Sequence, residues 1–374
     1  MFSYWEQQIF LSGIDVAVIG SGIVGLSAAI SLKQRQPGLR VAVFERGMLP
    51  SGASTKNAGF ACFGSISELL MNLEEQPEDV VFGLVEKRFR GLQKLRQNIG
   101  DDALRYEDLG GYELFHDETF YQQCADRMTY LNRQLGGIIG PDVYRSADQR
   151  IADFGFKQTS HLILNAYEGQ LHTGRMMQAL IEKARSSGIL LYNGACIDRL
   201  EPAGSGIDLY LREGRVTVRR VLVATNGFAR QLLPDLDVTP ARGQVLVTVP
   251  IPDLRIRGAF HLDRGYVYFR NIDNRILLGG GRHLDISGEA TTEPGLTPTI
   301  QQYLENLLRT VILPDREAPI ETRWSGTMGF GRQQEPIVRH LGGGVFCAVK
   351  MQGMGVALGS LTGEEAAERM AESL

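Results

Sequence analysis

The apolar run Val16–Ile19 passes directly into Gly20-Ser21-Gly22-Ile23-Val24-Gly25, and helical spacing follows over residues 23–33. A second apolar run, 40–44, ends at Glu45, 20 residues beyond Gly25. The pattern predicts a strand, a glycine turn, a helix and a second strand. Residues 47–67 are small and glycine-rich, too much so for a helix from end to end. They read either as a loop whose backbone approaches something large and flat, or as a surface loop. Helical spacing returns over 66–99, with Leu69, Leu70 and Leu73 before Pro77 and Val81, Leu84, Val85, Phe89, Leu92 and Leu95 after it, so two helices are expected. A strand at 106–115 interrupted by Gly110-Gly111 and a helix at 120–135 complete what looks like the packing of a second unit.

Further on, the period shortens to two. Strands are expected at 162–165, 189–192 and 195–200, with a helix at 174–186 capped by Thr173 between the first two. A hairpin at 207–212 and 216–220 turns through Glu213-Gly214. The run 220–224 ends in Ala224-Thr225-Asn226-Gly227, the small-residue terminus of a buried strand, where open sheets bind ligands. Strands at 242–249, 265–270 and 274–281 read as a new antiparallel sheet, the floor or roof of a substrate pocket, followed by a helix at 300–308. Strand 345–350 enters a second glycine-rich helix start, 351–359.

Composition narrows the possibilities. A chain of 374 residues suits two units with ample core. With 39 basic and 43 acidic residues the formal charge is −4, which disfavours a nucleic-acid partner. Cys62, Cys124, Cys196 and Cys347 lie far apart, and the six histidines form no ligand spacing, so neither a metal site nor a disulfide framework is expected. The first 13 residues lack the basic and apolar regions of a signal peptide, and no apolar run is long enough to span a membrane. A cytoplasmic location is expected.

The first glycine turn is a phosphate cradle: Gly20 for the tight turn, Gly22 for close approach to a pyrophosphate, Gly25 for helix packing, and Glu45 for ribose hydroxyls. A second glycine-rich helix start more than 300 residues later suits the flavin half of a long dinucleotide, because its positive end can face the charge that develops on a reduced ring. FAD is therefore favoured over NAD.

Several motifs, in order, resemble the superfamily of D-amino acid oxidase, glycine oxidase and sarcosine oxidase. They are 18–27 around the first turn, Glu45-Arg46, 52–59, 221–227, Arg-Gly-Gln-Val at 242–245, Trp-Ser-Gly at 324–326, Glu-Pro-Ile-Val at 335–338 and Gly-Met-Gly-Val-Ala at 353–357. The resemblance implies a mixed α/β (α+β) fold. In it a glutathione-reductase-type, Rossmann-like FAD domain (1–75, 150–240, 320–374) is interleaved with a substrate domain on a mixed or antiparallel sheet (76–149, 241–319). It implies oxidation of the carbon–nitrogen bond of a small amine or amino acid, with oxygen or a quinone as acceptor. By position, Gly20, Gly22, Ile23, Val24 and Gly25 hold the pyrophosphate; Glu45 and Arg46 hold the ribose and adenine side. Ser54, Thr55, Lys56, Asn57, Ala58 and Gly59 line the path to the flavin, and Ile197, Ala224, Thr225 and Gly227 cover the adenosine end. Gly326 and Gly353, Met354, Gly355, Val356 and Ala357 surround the pyrimidine side.

The candidates for catalysis are Tyr266, Tyr268 and Arg270, which alternation puts on one face of a strand; the same pattern also fits an aromatic sheet face capped by a solvated arginine. His283 is read as packing. The family's carboxylate-clamping arginine, two residues past Trp-x-Gly, is Met328 here, which leaves Arg270, Arg282 or Arg332 as replacements. The lysine that sarcosine-type oxidases carry on the strand matching 277–281 is absent, with Lys56 and Lys350 as replacements, so a dehydrogenase is a credible alternative to an oxidase. No cysteine follows Trp-x-Gly, so the FAD is expected to be non-covalent. Two other readings remain: a flavoenzyme modifying an aminomethyl-uridine in tRNA, and an inactive flavoprotein scaffold.

Overall fold

The computed structural model describes residues 1–373; Leu374, the last residue of the expected division, lies outside them. The first glycine turn sits at the centre of a six-stranded sheet. Its order is Ile337–Gly342, Val345–Val349, Arg220–Val223, Val16–Ile19, Val41–Glu45 and Leu190–Asn193, and all but the first are parallel. Parallel strands covered on both faces must be apolar throughout, which is why the runs at 16–19 and 41–45 lack polar alternation before Glu45. Val16 and Val18 face the helices Ile23–Arg35, Thr173–Ser186 and Gly355–Ala371. Ala17 and Ile19 face a three-stranded sheet made by Arg199–Ala203, Gly206–Leu211 and Gly214–Val218. The helix after the first glycine turn packs on the C-terminal helix, because Gly363 lets the two backbones meet: a Cβ there would lie 2.6 Å from the Val24 carbonyl oxygen.

The second sheet has eight strands, in the order Ile320–Phe330, Thr239–Thr248, Arg275–Gly280, Val267–Ile272, Ala259–Leu262, Gly111–Phe115, His161–Asn165 and Tyr144–Ser146. It is mixed, since Ala259–Leu262 runs parallel to Gly111–Phe115. One face places Leu246, Leu278, Phe269 and Phe260 against the helix Pro298–Leu307. The other presents Val245 and Leu277 to Ala58 of the glycine-rich loop, so this face looks toward the nucleotide unit.

Several expectations change. Strands His161–Asn165 and Ile320–Phe330 hydrogen-bond into the eight-stranded sheet, although the division by sequence groups 150–240 and 320–374 with the cofactor unit. The strand expected at 195–200 begins only at Arg199, because Ala195 first donates its N–H to the Glu45 carbonyl. Thr173 is not the cap of its helix: His172 caps it through Nδ1, and the Thr173 hydroxyl donates to Asn57 instead. Tyr266 is not on the strand with Tyr268 and Arg270. It closes a 3₁₀ turn, Asp263–Gly265, and the strand starts at Val267.

Candidate active site

At the nucleotide end, Gly20 adopts φ +104°, and its Cβ would lie 2.8 Å from the Ala224 carbonyl oxygen. A Cβ on Gly25 would fall 2.0 Å from the Gly20 carbonyl oxygen. Both positions therefore serve the tight turn itself. Gly22 differs, since its Cβ would meet only the Ser54 hydroxyl, at 2.8 Å, and that hydroxyl accepts from the Ile23 N–H. The helix starting there has Gly22 as N-cap, no side-chain cap and no acid in its first turn. The C-terminal helix begins in the same way at Met354. Ser65 caps Ile66–Glu75 and Asp117 caps Glu118–Leu135 with their side chains, whereas the start of Pro298–Leu307, also uncapped and acid-free, lies on the far face of the eight-stranded sheet. Two acid-free N-termini whose own cap residues offer no side chain to the helix, joined to one sheet, are what a bound anion and an electron-accepting ring require.

Glu45 is buried at the end of its strand. Its carboxylate accepts from the Ser21 N–H and hydroxyl at one oxygen, and from the Gly47 N–H and Ser51 hydroxyl at the other. Two of those donors are hydroxyls, the donor type a ribose offers. Arg46 lies over the Phe228 ring at 3.8 Å, and Ile197 is buried beside the same sheet. Thr225 carries a buried hydroxyl with no partner, an orphan that a ligand would satisfy. Asn226, at φ +45°, accepts from the Lys350 and Met351 N–H groups and so ties this loop to the second helix start.

The loop 52–59 is shaped by Asn57. Its amide donates to the Ala53 and Ser54 carbonyls and accepts from the Gly59 N–H and the Thr173 hydroxyl. Thr55 donates to the Pro50 carbonyl. The Trp-Ser-Gly motif docks this loop: the Trp324 indole donates to the Lys56 carbonyl at 2.9 Å, and Gly326 leaves space for the Lys56 side chain. Gly227 lies against the Met328 carbonyl and Gly353 beside the Met328 sulfur and the Phe330 ring. The side chains of Ile23, Val24, Ala58 and Val356 are buried in apolar clusters and that of Ala357 is buried as well, so their backbone groups are what a cofactor could meet. Gly355 opens the last helix.

Opposite the loop, Tyr268 lies on the glycine-faced part of the sheet, its ring against Gly279 and its hydroxyl about 4.0 Å from where a Gly243 Cβ would stand. Phe60 meets Tyr268 and His261 edge-on, with ring centroids 5.4 and 5.1 Å away. Burial pushes the Tyr268 phenol up to about 12. Arg270, two residues on, is 2% exposed, forms no ion pair among the described residues, and has a buried Nε with no partner. A Gly59 Cβ would stand 3.0 Å from its guanidinium. Burial lowers this guanidinium to about 10. It lines a cavity of about 480 Å³ with Tyr106, Leu171, His172 and Asn271.

Of the other candidates, Tyr266 packs on His283. Arg332 is 92% exposed, and Arg282 stacks on Phe330. Lys350 points its buried ammonium at the Gln333 carbonyl. The Arg242 and Gln244 of Arg-Gly-Gln-Val turn to the far face, where both bind the buried Glu289 carboxylate. Sequence reasoning did not single out Ser21, Ser51, Asn226, His261 or Glu168. The first three lie within or beside motifs already marked; His261 and Glu168 carry no local signal at all.

A parallel nucleotide sheet with two open helix starts, facing a second sheet across a glycine-rich loop, defines a flavin-dinucleotide oxidoreductase. Residues 15–369 match the family described as FAD dependent oxidoreductase (DAO), and the chain belongs to that family, an FAD-dependent enzyme class. It is similar to a glycine oxidase of Geobacillus kaustophilus (strain HTA426), 26% identical, with 93% of this chain and 90% of that one covered. It is also similar to a probable oxidoreductase OrdL of Rhizobium meliloti (strain 1021), 24% identical over 95% of this chain and 82% of that one. Its fold matches the crystal structure of L-proline dehydrogenase from P. horikoshii with a TM-score of 0.77 at 16% identity, covering 96% and 93% of the two chains.

Proposed function

We propose that the protein oxidises the carbon–nitrogen bond of an amine or amino acid to an imine, which water hydrolyses, and that Arg270 holds a carboxylate of that substrate. FAD, when bound, would supply the two-electron acceptor for that bond. It would rest on the two open helix starts, with Glu45 at its ribose and the Thr225 hydroxyl beside it. The chain's own residues orient the substrate and keep water from the reacting carbon. Tyr268 gives a neutral phenol that can donate a hydrogen bond but not remove a proton at ordinary pH.

The observation that carries the reading is Arg270. A buried guanidinium with no ion pair is costly, and a bidentate carboxylate is its natural complement. Similarity to proteins named glycine oxidase and L-proline dehydrogenase supports an amino acid substrate and leaves oxygen and a quinone both as candidate acceptors. Arg270→Met should raise KM for carboxylate-bearing amines by about tenfold to a hundredfold, the worth of a charge-assisted bond, while FAD content stays stoichiometric. An unchanged KM for every such substrate would refute the role of Arg270. With four free cysteines, three of them buried, a reducing compartment such as the cytoplasm is the location we propose.

A further inference from the structure

Behind the glycine-rich loop, three metal-ligating side chains from distant parts of the chain meet in the interior. Cys62 follows the short strand Phe60–Ala61, Glu168 precedes the strand Gly169–Gln170, and His261 lies on Ala259–Leu262 of the eight-stranded sheet. The thiol sulfur, a carboxylate oxygen and a ring nitrogen all lie within 4.8 Å of one another. Cys62 and Glu168 are 4% and 1% exposed.

Each side chain is incompletely satisfied. The His261 Nε2 is shut off from solvent and has no hydrogen-bond partner. Glu168 forms no ion pair among the described residues, and only one of its oxygens is held by the backbone, from the Phe63 and Gly64 N–H groups. The Cys62 thiol faces the Gly169 carbonyl oxygen, at 3.9 Å, and the Glu168 carboxylate itself, the contact a shared metal ion would replace. A second buried carboxylate, Glu113, pairs in register with His261 and likewise lacks a basic partner among the described residues. With Arg88 paired to Glu68, the two buried carboxylates outnumber the one unpaired guanidinium that acts on Cys62, Arg270, which leaves room for a cation.

We propose that Cys62, Glu168 and His261 bind one divalent zinc ion that pins the flavin loop to the substrate sheet. One sulfur, one imidazole nitrogen and one carboxylate oxygen form a donor set suited to zinc, and thiolate plus carboxylate balance its charge. Tetrahedral zinc holds its donors about 3.3–3.8 Å apart, so the trio needs to draw in by about 1 Å. The Gly169 carbonyl or a water fills the fourth position. Glu168 is pre-oriented by its two backbone N–H donors, as metal-ligating carboxylates usually are. Cys62 and His261 belong to the two surfaces that enclose the flavin, so the ion would fix their separation without touching the substrate.

The test uses the full-length FAD-loaded protein without a histidine tag, incubated with zinc chloride, desalted and assayed by elemental mass spectrometry. We expect about one zinc per chain, and a zinc-edge X-ray absorption spectrum with one sulfur at about 2.3 Å and nitrogen or oxygen at about 2.0–2.1 Å. Cys62→Ser and His261→Gln should each lower bound zinc at least about tenfold, by loss of one ligand, while FAD content is retained. Less than about a tenth of an equivalent in the wild type, a spectrum without sulfur, or zinc kept by both variants would overturn the site. If the variants fail to fold, the wild-type spectrum decides alone. Zinc and FAD are counted separately, so a protein that oxidises no amine would leave this result unaffected.

Discussion

At the scale of single residues, the three glycines of the first turn have different jobs, which substitutions should separate. Gly25→Ala forces a Cβ against the Gly20 carbonyl and should cost the apoprotein about 1–3 kcal/mol in a denaturant melt. Gly22→Ala meets only the Ser54 side chain, whose hydroxyl can turn off the Ile23 N–H, so it should cost less in that melt than Gly25→Ala and weaken FAD about tenfold or more in a titration, by crowding the pyrophosphate path. Equal losses of stability would contradict this. Tyr268 sets a pH prediction. Burial disfavours the phenolate and so raises the phenol to about 12. The profile of kcat/KM should rise as the substrate amine loses its proton and then stay level to about pH 10, with no falling limb from Tyr268. A falling limb that Tyr268→Phe removes would show the phenol ionising. Gly20, Gly22 and Gly25 are legible in sequence because the tight turn demands the outer two and close approach of a phosphate the middle one, at fixed spacing. Cys62, Glu168 and His261 are not, because only the tertiary fold brings residues about a hundred positions apart together.

At the scale of elements, the cofactor end depends on two helices whose starts must stay open. The helix Glu78–Ile99 braces the second: a Cβ on Gly91 would stand 2.1 Å from the Ala357 carbonyl oxygen. Gly91→Val should therefore lower the thermal midpoint and the FAD content together, with about 1–3 kcal/mol of overpacking. A shift in the melt with full FAD affinity would mean that the helix start is not coupled to this contact. On the second sheet, the Arg242 guanidinium forms two hydrogen bonds with the fully buried Glu289 carboxylate. Arg242→Met should cost about 3–5 kcal/mol by stranding a buried charge, and Glu289→Leu added to it should recover most of that loss. Long apolar strands and capped helices were readable from their periods. The strand Ile320–Phe330 was not, because its exposed and half-buried positions follow no clean alternation. Tyr266 was misplaced because its alternation with Tyr268 and Arg270 runs on past the true strand start at Val267, so the pattern alone does not mark where the turn Asp263–Gly265 ends.

At the scale of the whole molecule, the chain passes back and forth between two sheets, and each crossing delivers part of the site. The first glycine turn and Glu45 come from one sheet, Tyr268 and Arg270 from the other, and the loop 52–59 lies between them, docked by Trp324. The cofactor half was legible in sequence because phosphate and flavin binding constrain the backbone. The substrate half was less so, because it depends on side chains set against one another by the sheet, with Met328 where a family arginine would stand. Amine oxidation by a bound flavin can be followed by anaerobic titration of the flavin colour. The purified protein is expected to be yellow, to release stoichiometric FAD on acid treatment, and to bleach with at least one carboxylate-bearing amine from a panel, regaining its colour with oxygen or a quinone. A protein that binds FAD yet is bleached by none of them would contradict the account.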